Sequence, residues 1–344
     1  METLLKIVAM PLAWLVGAIL RLRHFLYDAG WYKIYRPSLP VIAVGNLQLG
    51  GAGKTPMTEY LIRLLKNDYR TAVLSRGYKR RTKGFVMAGK DTTPLSLGDE
   101  PFQFYRKFGH EIVVAVDENR ARGIRLLQHH VNPQVIILDD ALQHRRVEAG
   151  LKVLLTPFHR PFVYDRLFPA GRLRDLKNRA RNADIIVITK TPPHATAGRK
   201  KSLLTALEKY GKPVLFASIV YETPRDAAGK EIPWEIWQKE PFLLITGIAD
   251  AKPLMDYLKT KNLKFSHLKF PDHHHYDKHT RERIRKQIHR LGAKRILTTE
   301  KDFVKLQEGF PAAAYVPIRF ALESGDEKLL KHLIYEQIKS TKSL

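Results

Sequence analysis

The sequence predicts an α/β fold: a doubly wound, mostly parallel sheet, a second and smaller α/β domain, and a hydrophobic helix at the N-terminus. Three observations carry that prediction. Short runs rich in Val and Ile alternate with segments of helical period. The runs lack polar alternation, as expected of strands covered on both faces. A glycine-rich segment ending in Gly53-Lys54-Thr55 follows the first run, and a helical pattern follows it.

In chain order, the first element is apolar. From Ile7 to Leu20 only Pro11 and Gly17 interrupt the hydrophobic side chains, and Arg21, Arg23 and His24 close the run. A bilayer span needs about 20 apolar residues, so the run suits a helix lying in the membrane interface or barely spanning. Trp14, Phe25, Trp31 and Tyr32 are aromatics suited to headgroup level. No small-residue cleavage site follows, which argues against a signal peptide. A buried core helix is the competing reading.

The strand-like runs Pro40–Val44, Thr71–Leu74, Glu111–Val116, Val135–Leu138, Lys152–Leu155 and Ile185–Ile188 come next, with helical patterns such as Pro56–Leu65 and Glu118–His129 between them. Further runs are Val214–Ile219, Phe242–Ile248, Lys264–Phe270, Arg295–Leu297 and Ala314–Ile318. A polar stretch, Thr223-Pro-Arg-Asp-Ala-Ala-Gly-Lys230, marks a boundary. The expected units are 1–36, a membrane-associated helical region; 37–222, the phosphate-binding domain; and 223–344, a smaller α/β domain. Ser324 and Glu327 form a capping box ahead of an amphipathic helix carrying Leu329, Leu330, Leu333, Ile334 and Ile338.

Composition narrows the function. The 344 residues contain no cysteine, which excludes a disulfide scaffold and thiolate metal sites. A hydrophobic share of 44% excludes a disordered chain. The formal charge of +25 calls for an acidic partner: nucleic acid, anionic lipid or a phosphorylated metabolite. No zinc-finger, RNA-binding or heptad signature accompanies it, so nucleic acid is not favoured.

The chemistry starts at Gly50-Gly51-Ala52-Gly53-Lys54-Thr55-Pro56. Glycines there let backbone N–H groups curl around phosphates. Lys54 can reach the β- and γ-phosphates, and the Thr55 hydroxyl can ligate Mg²⁺. The helix N-terminus adds its dipole. Gln48 stands where the strict motif has glycine, so the loop is a Gly-Gly-x-Gly-Lys-Thr variant in a P-loop NTPase-like fold. Such a loop needs carboxylates at the end of another strand to hold the metal, and Val135-Ile-Ile-Leu-Asp139-Asp140 supplies them. A P-loop GTPase or ATPase switch, at the membrane or on nucleic acid, is the alternative function. It predicts a lysine at Leu49 or an Asn-Lys-x-Asp base motif, and neither is present.

Further stretches accompany these: Val44-Gly-Asn-Leu ahead of the glycine loop, Ser75-Arg-Gly-Tyr78, Gly98-Asp-Glu-Pro101, and Gln143-His144-Arg145 after Asp139-Asp140. Phe168-Pro-Ala-Gly171 with Leu173-Arg174, Gly247-Ile248, Phe270-Pro-Asp-His273 and Thr299-Glu-Lys-Asp302 follow. Together, and in this order, they resemble the tetraacyldisaccharide 4′-kinase family. Ala141, Leu142, Arg172 and Asp175 depart from the usual pattern, where Gly, Phe, Pro and Glu are common. The resemblance implies a lipid kinase that uses ATP and Mg²⁺. Its acceptor would be the 4′-hydroxyl of tetraacyldisaccharide 1-phosphate, in lipid A (lipopolysaccharide) synthesis at the cytoplasmic face of the inner membrane of a Gram-negative bacterium. It implies no nucleic acid and no obligate protein partner.

The resemblance also makes Asp99, assisted by His273, the group that takes the acceptor proton. On local pattern alone, Asp99 could equally cap a helix whose first turn holds Pro101. Three consecutive histidines, His273 to His275, cannot all face one ligand, so a metal site there is disfavoured. The basic runs Arg76 to Lys83 and Arg160 to Arg174 are expected to include contacts to substrate phosphate or lipid headgroups. Thr189-Lys190 falls where related P-loop folds read the nucleotide base.

Overall fold

The computed structural model describes residues 9–272 and 274–342, and contains two sheets. The large sheet is built from β1 (Val41–Asn46), β2 (Thr71–Ser75), β3 (Val86–Met87), β4 (Val113–Val116), β5 (Val135–Leu138), β6 (Leu151–Pro157), β7 (Ile185–Thr189), β8 (Val214–Tyr221) and β13 (Ile318–Leu322). Their spatial order is β13-β8-β7-β6-β1-β5-β2-β4-β3. Only β3 and β13 pair antiparallel, one at each edge. The small sheet, β10-β9-β11-β12, is parallel throughout and uses β9 (Phe242–Thr246), β10 (Phe265–Lys269), β11 (Ile296–Thr299) and β12 (Ala314–Val316).

Helices α1 (Met10–Asp28), α2 (Lys54–Leu65), α3 (Pro94–Leu97), α4 (Asp99–Phe108), α5 (Arg120–Val131) and α6 (Ala197–Glu208) belong to the first part of the chain. They are followed by α7 (Trp234–Gln238), α8 (Lys252–Thr260), α9 (Lys278–Leu291), α10 (Glu300–Leu306) and α11 (Ser324–Lys342). The central strands are buried along their whole length, which is why their sequence reads as continuous Val and Ile. One face of the sheet packs Ile42, Val44, Val73 and Ile137 against Met57, Leu61 and Leu65 of α2. The other packs Ala43, Leu74 and Ile136 against Ile124 and Leu127 of α5.

The chain does not end in the second lobe. β13 and α11 return to the large sheet, across the boundary expected near Thr223. Leu330, Ile334 and Ile338 join the core that α2 covers. The reason is edge protection: β8 has an open edge that β13 pairs, and the apolar stripe of α11 needs a sheet to cover. Glu327 of the expected capping box instead accepts from Tyr60 and pairs with Lys331.

Helix α1 lies outside both cores. Its inner face carries Ala13, Gly17, His24 and Tyr27. Gly17 permits close approach, since a Cβ there would stand 3.1 Å from the Leu167 side chain. His24 is locked to Asp175 at 2.6 Å, and Arg145 binds the His24 carbonyl at 2.9 Å. Leu12, Trp14, Leu15, Ile19, Leu22 and Phe25 face outward, with Trp14 70% and Phe25 64% exposed. Among the described residues no helix is long and apolar enough to cross a membrane. Residues 1–8, with the start of the apolar run, lie outside the described residues.

Candidate active site

The site forms at the C-terminal ends of β1 and β5, adjacent central strands. The glycine loop leaves β1 and enters α2. Gly50 (φ 101°) and Gly53 (φ 84°) adopt left-handed backbone that other residues resist. Gly53 is also the N-cap of α2. The Thr189 hydroxyl, at the end of β7, donates to the Ala52 carbonyl at 2.8 Å and ties the loop to the sheet. Lys54 reaches Asp140 at 3.6 Å and Asn46 Oδ1 at 3.4 Å. Thr55 and Pro56 continue into the first turn.

Asp139 and Asp140 end β5 as expected, but their surroundings differ. Asp139 is buried and accepts from Thr58 Oγ1 (3.2 Å) and Ser75 Oγ (3.3 Å). Burial, then the charges of Glu100 and Asp140, push its carboxyl up to about 7. Asp140 sits in left-handed backbone, φ 49°, which Asp tolerates. Burial would raise its carboxyl, but Lys54 and Arg174 outweigh burial and lower it. Arg174 grips Asp140 with both terminal nitrogens and Asn46 Oδ1 at 2.8 Å. Its loop pairs with the approach to the glycine loop, through Leu49 N to Arg172 O and Arg174 N to Leu47 O.

Asp99 does not cap its helix: Gly98 is the N-cap and Asp99 opens the first turn. Gly98 (φ 97°) packs on Gly77, with a Cβ placed there 3.2 Å from Gly77 backbone. That contact explains why both Ser75-Arg-Gly and Gly-Asp-Glu-Pro carry glycine, and it brings the start of α4 to the end of β2. The neighbouring Glu100 is close enough to raise Asp139. The Asp99 carboxylate meets Lys305 of α10 at 3.1 Å.

His273 lies outside the described residues, although its flanks are well anchored. Asp272 pairs with Lys301 at 3.1 Å, and Tyr276 donates to Asp302 at 3.0 Å. Asp302 also accepts from Gly247 N (2.8 Å) and Thr299 Oγ1 (2.6 Å). Three separated segments, around Gly247, Tyr276 and Thr299, thus meet at one buried carboxylate. His274 stacks on Phe270 and bonds Thr280, and among the described residues no group of three His, Asp or Glu is placed to hold a metal. Lys190 approaches the loop, its Nζ 3.6 Å from where a Gly51 Cβ would be, and burial lowers its ammonium.

Sequence reasoning gave no role to Asn46, Thr58, Arg120 or His144. Arg120 begins α5, is 2% exposed, and donates to the Asp117 carbonyl at 2.9 Å, while its Nε and Nη2 have no hydrogen-bond partner among the described residues. Burial pulls its guanidinium down to about 10 against the attraction of Asp139 and Asp140, so it stays charged at neutral pH. It lines a cavity of about 510 Å³ with Arg23, Tyr27, Tyr32, His144 and Arg145. Burial and the guanidiniums of Arg120 and Arg76 push the His144 imidazole down to about 4, so it is neutral. Asn46 and His144 stand inside motifs already noted; Arg120 had no signal beyond a charge in a helical pattern.

Residues 5–339 match the family model for tetraacyldisaccharide-1-P 4′-kinase. The chain belongs to this family. It is a kinase, 42% identical over 340 residues to tetraacyldisaccharide 4′-kinase of Flavobacterium johnsoniae, covering 98% of this chain and 93% of the relative. The enzyme of that name from Phocaeicola vulgatus is 44% identical over 305 residues, covering 86% and 83%. The crystal structure of LpxK from Aquifex aeolicus in complex with ATP superposes with a TM-score of 0.80 at 32% identity, covering 97% of this kinase and 99% of that chain.

Proposed function

We propose that this kinase transfers the γ-phosphate of ATP to the 4′-hydroxyl of tetraacyldisaccharide 1-phosphate at a membrane surface, giving the bis-phosphorylated lipid A precursor. The observation that carries the reading is the juxtaposition of a Lys54 phosphate loop, strand-end carboxylates and a basic cavity under an apolar helix face. Phosphoryl transfer is chiefly positioning and charge stabilisation. Residues 50–56 wrap the phosphates, and Lys54 faces the group in transfer. Asp99 takes the acceptor proton with help from His273, a contribution of about 100- to 10,000-fold for a general base.

Mg²⁺ suits the donor set. Asp139 is buried, and the charges of the half-buried Glu100 and Asp140 raise its carboxyl, the environment a hard divalent cation relieves. Asp139, Asp140 and the Thr55 hydroxyl would hold it, and it would supply charge neutralisation at the phosphates.

The cavity fits the sugar phosphate of the acceptor. Arg120 has two unpartnered nitrogens buried beside it, and a buried guanidinium with spare donors favours an anion. The outward apolar face of α1 would dock in the membrane interface, with Arg21 exposed near its C-terminal end. This supports a location on the cytoplasmic face of the inner membrane of a Gram-negative bacterium, where ATP and the lipid meet. The test is γ-labelled ATP with detergent-dispersed tetraacyldisaccharide 1-phosphate, followed by thin-layer separation. Label in the lipid with wild type, and none with Lys54→Ala, is expected; label absent from the lipid with wild type overturns the proposal.

A further inference from the structure

Two ion pairs join helices from different lobes. Lys305, in α10 of the small lobe, meets Asp99 at the start of α4 in the large lobe, 3.1 Å apart and 206 residues away in sequence. At the other end, Lys107 of α4 meets Glu300 of α10 at 2.8 Å. The start of each helix therefore faces the end of the other. Arg106 lies over the Phe303 ring between them, 5.0 Å from its centroid.

The second pair reaches further. Lys107 also binds Glu59 at 2.8 Å, and Glu59 takes Arg63 at 3.0 Å and Gln103 at 3.0 Å. Glu59 is 2% exposed and belongs to α2, the helix that the glycine loop opens. The small lobe is thus fastened to the phosphate-loop helix at one end of α10 and delivers an ammonium to Asp99 at the other. The Lys305 side chain is 9% exposed, so this ammonium is not a loose surface charge. A buried pair of this kind fixes geometry more than it adds stability.

We propose that Lys305 is a positioning residue for the reaction: it holds the Asp99 carboxylate in place from the small lobe, so that acceptor-side chemistry requires that lobe to be docked. This rests on Asp99 acting at the acceptor hydroxyl. Lys305 need touch neither nucleotide nor lipid; its effect passes through Asp99. A misplacement of about 1 Å can cost about 100-fold in rate, which sets the scale.

The experiment measures steady-state lipid phosphorylation by K305M, K305R, D99N and K305M/D99N, with ATP binding by calorimetry as the check on folding and on the loop. K305M should lose about 10- to 100-fold in kcat while the KM for ATP stays within about twofold. K305R, which keeps a cation in reach, should recover most of that loss. K305M/D99N should be no slower than D99N, because the two act as one unit. K305Q replaces K305M if the latter does not bind ATP. A kcat for K305M within about twofold of wild type, with D99N down about 100-fold or more, overturns the role of Lys305 and leaves that of Asp99 standing. Multiplicative losses in the double variant also overturn it. A D99N enzyme near wild type overturns instead the reading of Asp99.

Discussion

Removing the imidazole that pins α1 should detach this helix without unfolding the rest. His24 and Asp175 pair at 2.6 Å with side chains 7% and 3% exposed. Truncating one partner of a buried pair costs about 3–5 kcal/mol when the other is left uncompensated. Here Asp175 keeps the Leu176 amide at 2.8 Å and gains water once α1 lifts. Arg145 still holds Asp28 and the residue-24 carbonyl. The cost should therefore fall below that range, to about 2–3 kcal/mol, and at about 1.4 kcal/mol per tenfold the open population should rise about 30- to 140-fold. The assay is hydrogen exchange of α1 amides in His24→Ala, with tryptic cleavage at Arg21 as an independent readout. Because α1 contributes to neither sheet's core, the urea midpoint of the large lobe should barely move. Unchanged exchange across residues 10–28 would refute the reasoning, since the clasp would then contribute nothing to docking. A matching fall in the global midpoint would refute it differently, by making α1 part of the core.

Lys54→Ala should abolish lipid phosphorylation with the melting temperature unchanged, measured by label transfer and calorimetry; near-normal turnover would remove Lys54 from the phosphate site. Asp139→Asn should stabilise the metal-free protein at pH 8. With its carboxyl raised to about 7, the folded wild type binds more protons than the unfolded chain between about pH 4 and 7, so this group costs stability as pH rises through that window. The Asn variant's advantage in melting temperature should therefore shrink toward pH 4, and added Mg²⁺ should raise the wild type's melting temperature more than the variant's. Asp99→Ala should cut kcat by about 100-fold or more with ATP affinity intact, and His273→Ala should cut it less; a large loss of ATP affinity would move Asp99 to the nucleotide side. Leu15→Glu with Ile19→Glu should reduce flotation with anionic vesicles while leaving the fold intact, since both side chains are exposed; unchanged flotation would place the membrane contact elsewhere.

Much of the fold is legible in the sequence. The Val/Ile runs became buried parallel strands because a strand covered on both faces has no polar side to display. The glycine loop with Lys54, and the Asp139-Asp140 pair, each sit at the C-terminal end of a strand because local sequence determines a strand and the loop that leaves it; that β1 and β5 are neighbours follows from the sheet order. The amphipathic stripe of α11 was equally readable, but not its destination.

What only the tertiary structure decided is which charges meet. Asp99 reads locally as a helix cap, yet its carboxylate faces Lys305 from the other lobe. Arg174 reads as one basic loop residue among several, yet it grips Asp140 and Asn46. Arg120 reads as a surface charge on a helix and is instead buried with spare donors. Gly247 and Tyr276 lie 55 and 26 residues from Asp302, yet both donate to its carboxylate. Periodicity and turn chemistry are properties of neighbours along the chain, so the sequence determines them unaided. These ion pairs and buried donors join residues 26 to 206 positions apart, and their partners exist only once the strand order and the return of the C-terminal helix have brought the segments together.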